Sequence, residues 1–175
     1  MDPAFSLAVR GALAVLFLAA AVHKARDFAG FRAVLADYRL VPGWAVGCAA
    51  ALVVALECGV AIALPLTPQG PWPAAGLLGL YTGAIAINLV RGRRDIDCGC
   101  AGRTARQALS GWLIVRNVVL GATALATLAP SPPRPLVWLD ACTIGGAITA
   151  LAAAYATLEQ VLAAAPRLAL LRGST

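Results

Sequence analysis

Trp44 to Leu64 reads WAVGCAAALVVALECGVAIAL. The stretch is 21 residues long, carries a single acidic residue at Glu57 and has no basic one. About 18–20 apolar residues are enough for a helix to cross a bilayer, so this segment is a membrane-spanning candidate. Four more apolar stretches accompany it: about Ala4 to Val22, Trp72 to Val90, Leu109 to Ala129, and Val137 to Thr157. The breaks between them are chemical. Pro65 to Pro73 (PLTPQGPWP) and Pro130 to Pro135 (PSPPRP) are proline-rich and cannot continue a helix.

The whole chain agrees with this reading. Of its 175 residues 61% are hydrophobic and only 13% charged, about half the charged fraction of a soluble domain. The expected fold class is all-α: a polytopic membrane bundle of about five transmembrane helices. Residues 1–165 form the membrane domain and 166–175 a short basic tail, with no room for a separate soluble domain. A net charge of +6 raises the question of nucleic acid. The arginines, however, fall in loops between apolar segments and no basic face is interleaved with aromatics, which excludes that partner class. Arg10, the apolar run after it and the small residues Ala19 to Ala21 imitate a signal peptide. Asp2 weakens the basic start, and the run leads directly into His23, Lys24 and four more spans, so a retained first helix is expected.

Between the first two spans, Phe28, Phe31, Leu35 and Leu40 are spaced among charges. This pattern predicts a short amphipathic helix at the interface that ends before Pro42. The four tryptophans, Trp44, Trp72, Trp112 and Trp138, open or nearly open a span and fit an interfacial belt. Gly79 with Gly83, and Gly43 with Gly47, have the small-xxx-small spacing of close helix packing.

Loop charge sets the expected orientation. Lys24, Arg26, Arg32 and Arg39 follow the first span, and Arg91, Arg93, Arg94, Arg103 and Arg106 follow the third. The second loop carries no charge and the fourth only Arg134. The positive-inside rule then places the N-terminus outside and the third loop in the cytoplasm. Polar residues collect in the layer beneath that loop. His23 and Lys24 end the first span, Asn88 lies near the end of the third, and Arg116 and Asn117 stand about 10 Å into the fourth. A polar side chain inside a span marks function by default, although Lys24 and Arg116 are long enough to snorkel to the headgroups. Glu57 needs a partner, since a carboxylate in hydrocarbon is protonated or paired. Counted by depth, that partner is Arg10, in a buried ion pair Arg10–Glu57.

The third loop reads RGRRDIDCGCAGR from Arg91 to Arg103. Cys98 and Cys100 sit one glycine apart among arginines, which favour the thiolate. A disulfide between them closes a very small ring, and strained or exposed disulfides are the labile, exchanging kind. Cys98 and Cys100 are therefore the candidate catalytic residues, with Arg94, Arg103 and Arg116 stabilising thiolate and His23 or Lys24 assisting proton transfer. Metal ligation by His23, Cys48, Cys98 and Cys100 is the lesser chemistry, because no paired C-x-x-C spacing supports it, and no metal is expected. Cys48, Cys58 and Cys142 read as small hydrophobes in helices, although Cys58 and Cys142 fall toward the same face and could pair.

Taken together, these features resemble the methylamine utilisation protein MauE family, within the wider DoxX-like membrane proteins. The resemblance is carried by Arg10, His23-Lys24, Tyr38, Pro42 and Glu57, by Asn88-Leu89-Val90-Arg91-Gly92 leading into CGCAG, and by Arg116-Asn117. Ala101 departs from the pattern, in which a bulky aromatic often follows the second cysteine. The resemblance implies a DoxX-like four-helix core plus one helix. It also implies a thioredoxin-fold (MauD-like) partner and the maturation of a disulfide-rich exported protein, such as the small subunit of methylamine dehydrogenase. An exported client sits awkwardly with a cytoplasmic Cys-Gly-Cys loop, and the two expectations stand side by side. The rival readings are a non-enzymatic scaffold for a redox enzyme, and a small carrier or quinone-binding subunit built on Glu57, Arg10 and Arg116. No cofactor motif occurs.

Overall fold

The computed structural model describes residues 2–93, 109–130 and 137–172. The order is α1 (Pro3–Arg26), α2 (Phe28–Asp37), a short 3-10 turn (Gly43–Ala45), α3 (Val46–Leu66), α4 (Pro71–Val90), α5 (Gly111–Ala126) and α6 (Trp138–Arg172). Among the described residues there is no strand. Four helices, α1, the segment containing α3, α4 and α6, are long and apolar enough to cross a membrane. α5 is shorter, at 16 residues, or about 24 Å of helix against a hydrocarbon core of about 30 Å.

Local chemistry explains the boundaries. Asp2 caps α1 by accepting from the Ala4 amide at 2.8 Å, with Pro3 preset for the first helical position. Asp27 closes α1 through its own amide on the His23 carbonyl, and its side chain caps α2 at the Gly30 amide (3.1 Å). α2 is the expected short amphipathic helix and ends five residues before Pro42. α4 starts at Pro71 and ends in a paired turn: the Arg93 amide donates to the Asn88 carbonyl and the Gly92 amide to that of Leu89. Gly92 takes φ of 73°, the left-handed conformation such a turn requires.

The helices form two antiparallel pairs, α1 with α3 and α4 with α5, and α6 packs on α1. Leu13 and Phe17 (α1), Val60, Ala61 and Leu64 (α3), Ala74, Leu77 and Leu78 (α4) and Ala124 (α5) share one core. Toward the other end, Tyr38, just after α2, joins Ile85, Leu109 and Leu113 in a second core. The surface is apolar almost throughout, with Leu52, Ile62, Leu80, Val118 and Val119 exposed. The interior instead buries Ser6, Lys24, Glu57, Asn88, Asn117 and Thr127. Apolar outside and polar inside suits a hydrocarbon solvent, where side-chain hydrogen bonds and close packing hold helices together. The chain is a multi-pass membrane protein.

Two expectations change. α6 does not stop near Thr157 but continues to Arg172, carried by an alanine- and leucine-rich sequence of high helix propensity. Among the described residues, a Cβ built on Gly79, Gly83 or Gly43 meets nothing within 4 Å, whereas one on Gly47 would stand 3.7 Å from the Arg32 side chain of α2. The close approaches are elsewhere. Such a Cβ on Gly11 would stand 2.4 Å from Ile148 of α6, and one on Gly70 would stand 2.3 Å from the Ala63 carbonyl oxygen. The tryptophans behave as expected: all four are exposed at helix starts, Trp44 and Trp112 at one end of the bundle and Trp72 and Trp138 at the other.

Candidate functional site in the bundle interior

Glu57 is completely buried, and its partner is Lys24. The Lys24 ammonium lies 2.6 Å from Glu57 Oε1, and the Tyr81 hydroxyl donates to the same oxygen at 2.7 Å. The ammonium also sits 5.5 Å from the centroid of the Phe31 ring and 5.7 Å from that of Tyr81, within cation–π range. One carboxylate thus joins α1, α3 and α4, with α2 supplying an aromatic face. Lys24 is only 5% exposed and is not a snorkelling side chain.

The expected Arg10–Glu57 pair does not form. The Arg10 guanidinium instead donates to the carbonyl of Thr67, the residue that caps the C-terminus of α3. The negative end of a helix dipole welcomes that charge. Two physical causes separate Arg10 from Glu57. The α1–α3 register sets Glu57 beside the last turn of α1, because the first turns of α3 run past the end of α1 and pack on α2 instead. In addition, side chains lean toward the N-terminus of their own helix. On antiparallel helices Lys24 and Glu57 therefore lean toward each other, whereas Arg10 leans away toward Thr67.

The other expected residues divide by position. Asn88 is fully buried, and its side-chain amide donates back to the Ala84 carbonyl at 3.1 Å. Asn117 is 2% exposed, and its Oδ1 accepts from Nε and Nη2 of the half-buried Arg116, both at 3.3 Å. His23 faces outward: neighbouring residues on a helix point about 100° apart, so it does not share the Lys24 site. Cys48 and Cys142 are exposed and Cys58 partly so, and all three are free thiols, so Cys58 and Cys142 are not bridged. Among the described residues no group of three or more His, Cys, Asp or Glu could hold a metal. Cys98, Cys100, Arg94 and Arg103 lie outside the described residues.

The segment carrying those cysteines is described at both ends, and both ends meet α2. Arg93 donates to the carbonyl of Asp37, the last residue of α2, at 2.7 Å. Leu109 packs in the same small core as Tyr38, the next residue along. Sequence reasoning did not single out Tyr81, and it read Phe31 only as part of an interfacial helix and Arg93 only as loop charge. Tyr81 had a readable signal, since it stands seven residues before Asn88 and so shares its helix face.

The family model for the methylamine utilisation protein MauE matches residues 2–130, which span α1 to α5 and leave out α6. The MauE protein of Paracoccus denitrificans is 37% identical over 161 residues, covering 90% of this chain and 84% of that protein. The MauE of Methylophilus methylotrophus is 37% identical over 157 residues, with 87% and 80% covered. The MauE of Methylorubrum extorquens is 39% identical over 137 residues, with 75% and 74% covered. No solved structure matches the chain. A family match that spans α1 to α5, and identity of 37–39% over most of the chain to these three relatives, lead to one assignment: the chain belongs to the methylamine utilisation protein MauE family.

Proposed function

We propose that this protein acts in methylamine utilisation as a membrane component that exchanges thiols and disulfides through Cys98 and Cys100. Its partner is a thioredoxin-fold protein, and the work supports maturation of a disulfide-containing exported protein such as a subunit of methylamine dehydrogenase. In the exchange, a thiolate of the partner attacks one sulfur of a Cys98–Cys100 disulfide. The other sulfur leaves as a thiolate and takes a proton, and the partner's second thiolate resolves the mixed disulfide. The partner ends oxidised and the Cys-Gly-Cys pair reduced; run backwards, the same steps reduce the partner.

The observation that carries this reading is the family relationship over the stretch that includes the Cys-Gly-Cys. The arginines flanking the pair favour thiolate, and its two-residue spacing favours a labile disulfide. The described residues on either side of the segment, Arg93 and Leu109, both meet the C-terminal end of α2, at the same end of the bundle. The loop charges favour a cytoplasmic face.

The test uses a chain that retains only Cys98 and Cys100, in intact cells, with a membrane-impermeant maleimide and with or without a permeant reductant. Labelling only after reduction means an outward-facing disulfide that oxidises exported clients directly. Labelling only after the cells are opened means a cytoplasmic pair. Replacing both cysteines by serine should abolish mixed disulfides with thioredoxin-fold proteins; their persistence would sink the proposal.

A further inference from the structure

Besides Arg10 Nε, beside the C-terminus of α3, three buried polar atoms have no hydrogen-bond partner among the described residues: Glu57 Oε2, Asn88 Oδ1 and Asn117 Nδ2. They belong to residues exposed by 0%, 0% and 2%. A buried polar atom without a partner is costly, more so in a low dielectric, and native interiors avoid it. Three in one bundle need a physical cause.

The register brings them to one seam, between the α1–α3 pair and the α4–α5 pair. Leu78 of α4 lies against Gly121 of α5, so in these antiparallel helices Asn117 stands level with Tyr81. Tyr81 in turn bonds Glu57 across the seam. Asn88 is two turns further along α4, on the Tyr81 face. Asn117 leans toward the start of α5 and Asn88 toward the start of α4, so the two amides lean toward each other.

The amide orientations are chemically fixed. Turning Asn88 over would set its oxygen against the Ala84 carbonyl, and turning Asn117 over would set its NH2 against the Arg116 guanidinium. The seam therefore offers two acceptors, Glu57 Oε2 and Asn88 Oδ1, and one donor, Asn117 Nδ2. A cation does not suit it, since Lys24 already balances Glu57 and Asn117 presents N–H. An anion would meet the free oxygen of Glu57. The complement is one or more small neutral molecules that both donate and accept, which is the inventory of water, and buried water typically makes about three such bonds.

We propose that the seam is an internal water-binding site. Bound water donates to Glu57 Oε2 and Asn88 Oδ1 and accepts from Asn117 Nδ2, so that water, and not only side-chain contact, joins the two helix pairs. The Cys-Gly-Cys chemistry plays no part in this inference, and either can fail without the other.

The test is X-ray hydroxyl-radical footprinting of the full-length protein in lipid, mixed into heavy-oxygen water immediately before exposure. Radicals formed from a bound, slowly exchanging water carry ordinary oxygen onto the nearest oxidisable ring, that of Tyr81. Exposed Trp44 and Trp138 report bulk water. The expected result is an excess of ordinary-oxygen label on Tyr81 over the two tryptophans, lost in the Asn88→Leu, Asn117→Leu double variant. Tyr81 left unlabelled, or labelled with the heavy isotope like the tryptophans, would overturn the proposal. So would an organic molecule released in stoichiometric amount on denaturing the purified protein. The wild-type measurement decides the matter even if the double variant does not fold.

Discussion

Lys24 and Glu57 pair in the bundle interior, away from bulk solvent, so each stabilises the bundle only in the presence of the other. Removing one partner of a buried ion pair leaves an uncompensated charge, at a cost of about 3–5 kcal/mol, whereas replacing both by apolar groups is often neutral or better. Lys24→Met alone should therefore destabilise the protein by about that amount, and Lys24→Met with Glu57→Leu should recover most of it. Reversible unfolding in mixed micelles measures both, and a double variant as unstable as the single one would refute the pairing. Tyr81→Phe removes one hydrogen bond to a carboxylate and should cost about 1.5–3 kcal/mol in the same assay. At this scale the sequence makes clear that Glu57 needs a cation, because a lone carboxylate in an apolar helix has no other resolution. Which cation it finds depends on the axial offset of α1 against α3, and no local pattern in either helix records that offset.

The elements are joined by contacts that composition barely signals. The turn from α3 to α4 closes so tightly that a Cβ on Gly70 would stand 2.3 Å from the Ala63 carbonyl oxygen and 2.7 Å from Leu64 Cα. Both neighbours are backbone and neither can swing aside, so Gly70→Ala should lose about 4 kcal/mol or more. Gly79→Ala meets open space within a helix and should be neutral, or stabilising by about 1 kcal/mol or less. Thermal unfolding of the two variants side by side checks the contrast, and equal effects would contradict the turn geometry. The proline-rich breaks were legible because proline supplies no amide to a helix interior, although Pro65 still fits the last turn of α3 and Pro71 the first turn of α4. The small-residue spacing of α4 misled because it fits helix contact equally well whether or not a neighbour is present. The start of α1 was legible in principle: Asp2-Pro3 is a helix-start signature, yet its plainer effect in sequence was to weaken the basic start of a would-be signal peptide.

For the whole molecule, the buried residues run only from Ser6 to Thr127 among the described residues. α6 touches the rest through α1 and buries none of the residues of its own apolar window. The family relationship by model ends at residue 130, also before α6. A chain shortened after Pro130 should therefore still insert and unfold cooperatively, and should keep the sensitivity of the Lys24–Glu57 pair to single substitution. A shortened chain that loses cooperativity would show α6 to be part of the core. Gly11, against which Ile148 packs, is the place to loosen α6 without removing it.

The sequence by itself determined the class of solvent, the number and limits of most spans, the amphipathic helix before Pro42 and the exposed tryptophans at both ends. These follow from runs of apolar residues, prolines and charges, each a property of neighbours along the chain. Only the tertiary structure decided that Lys24 neutralises Glu57, that Arg10 and Arg93 each bond a carbonyl at the end of another helix, and that Asn88 and Asn117 come to share a seam. Those outcomes depend on how far one helix slides past another and on side chains leaning along antiparallel axes. In hydrocarbon, apolar faces pack at many offsets with little difference in energy, so the few buried polar contacts choose among them.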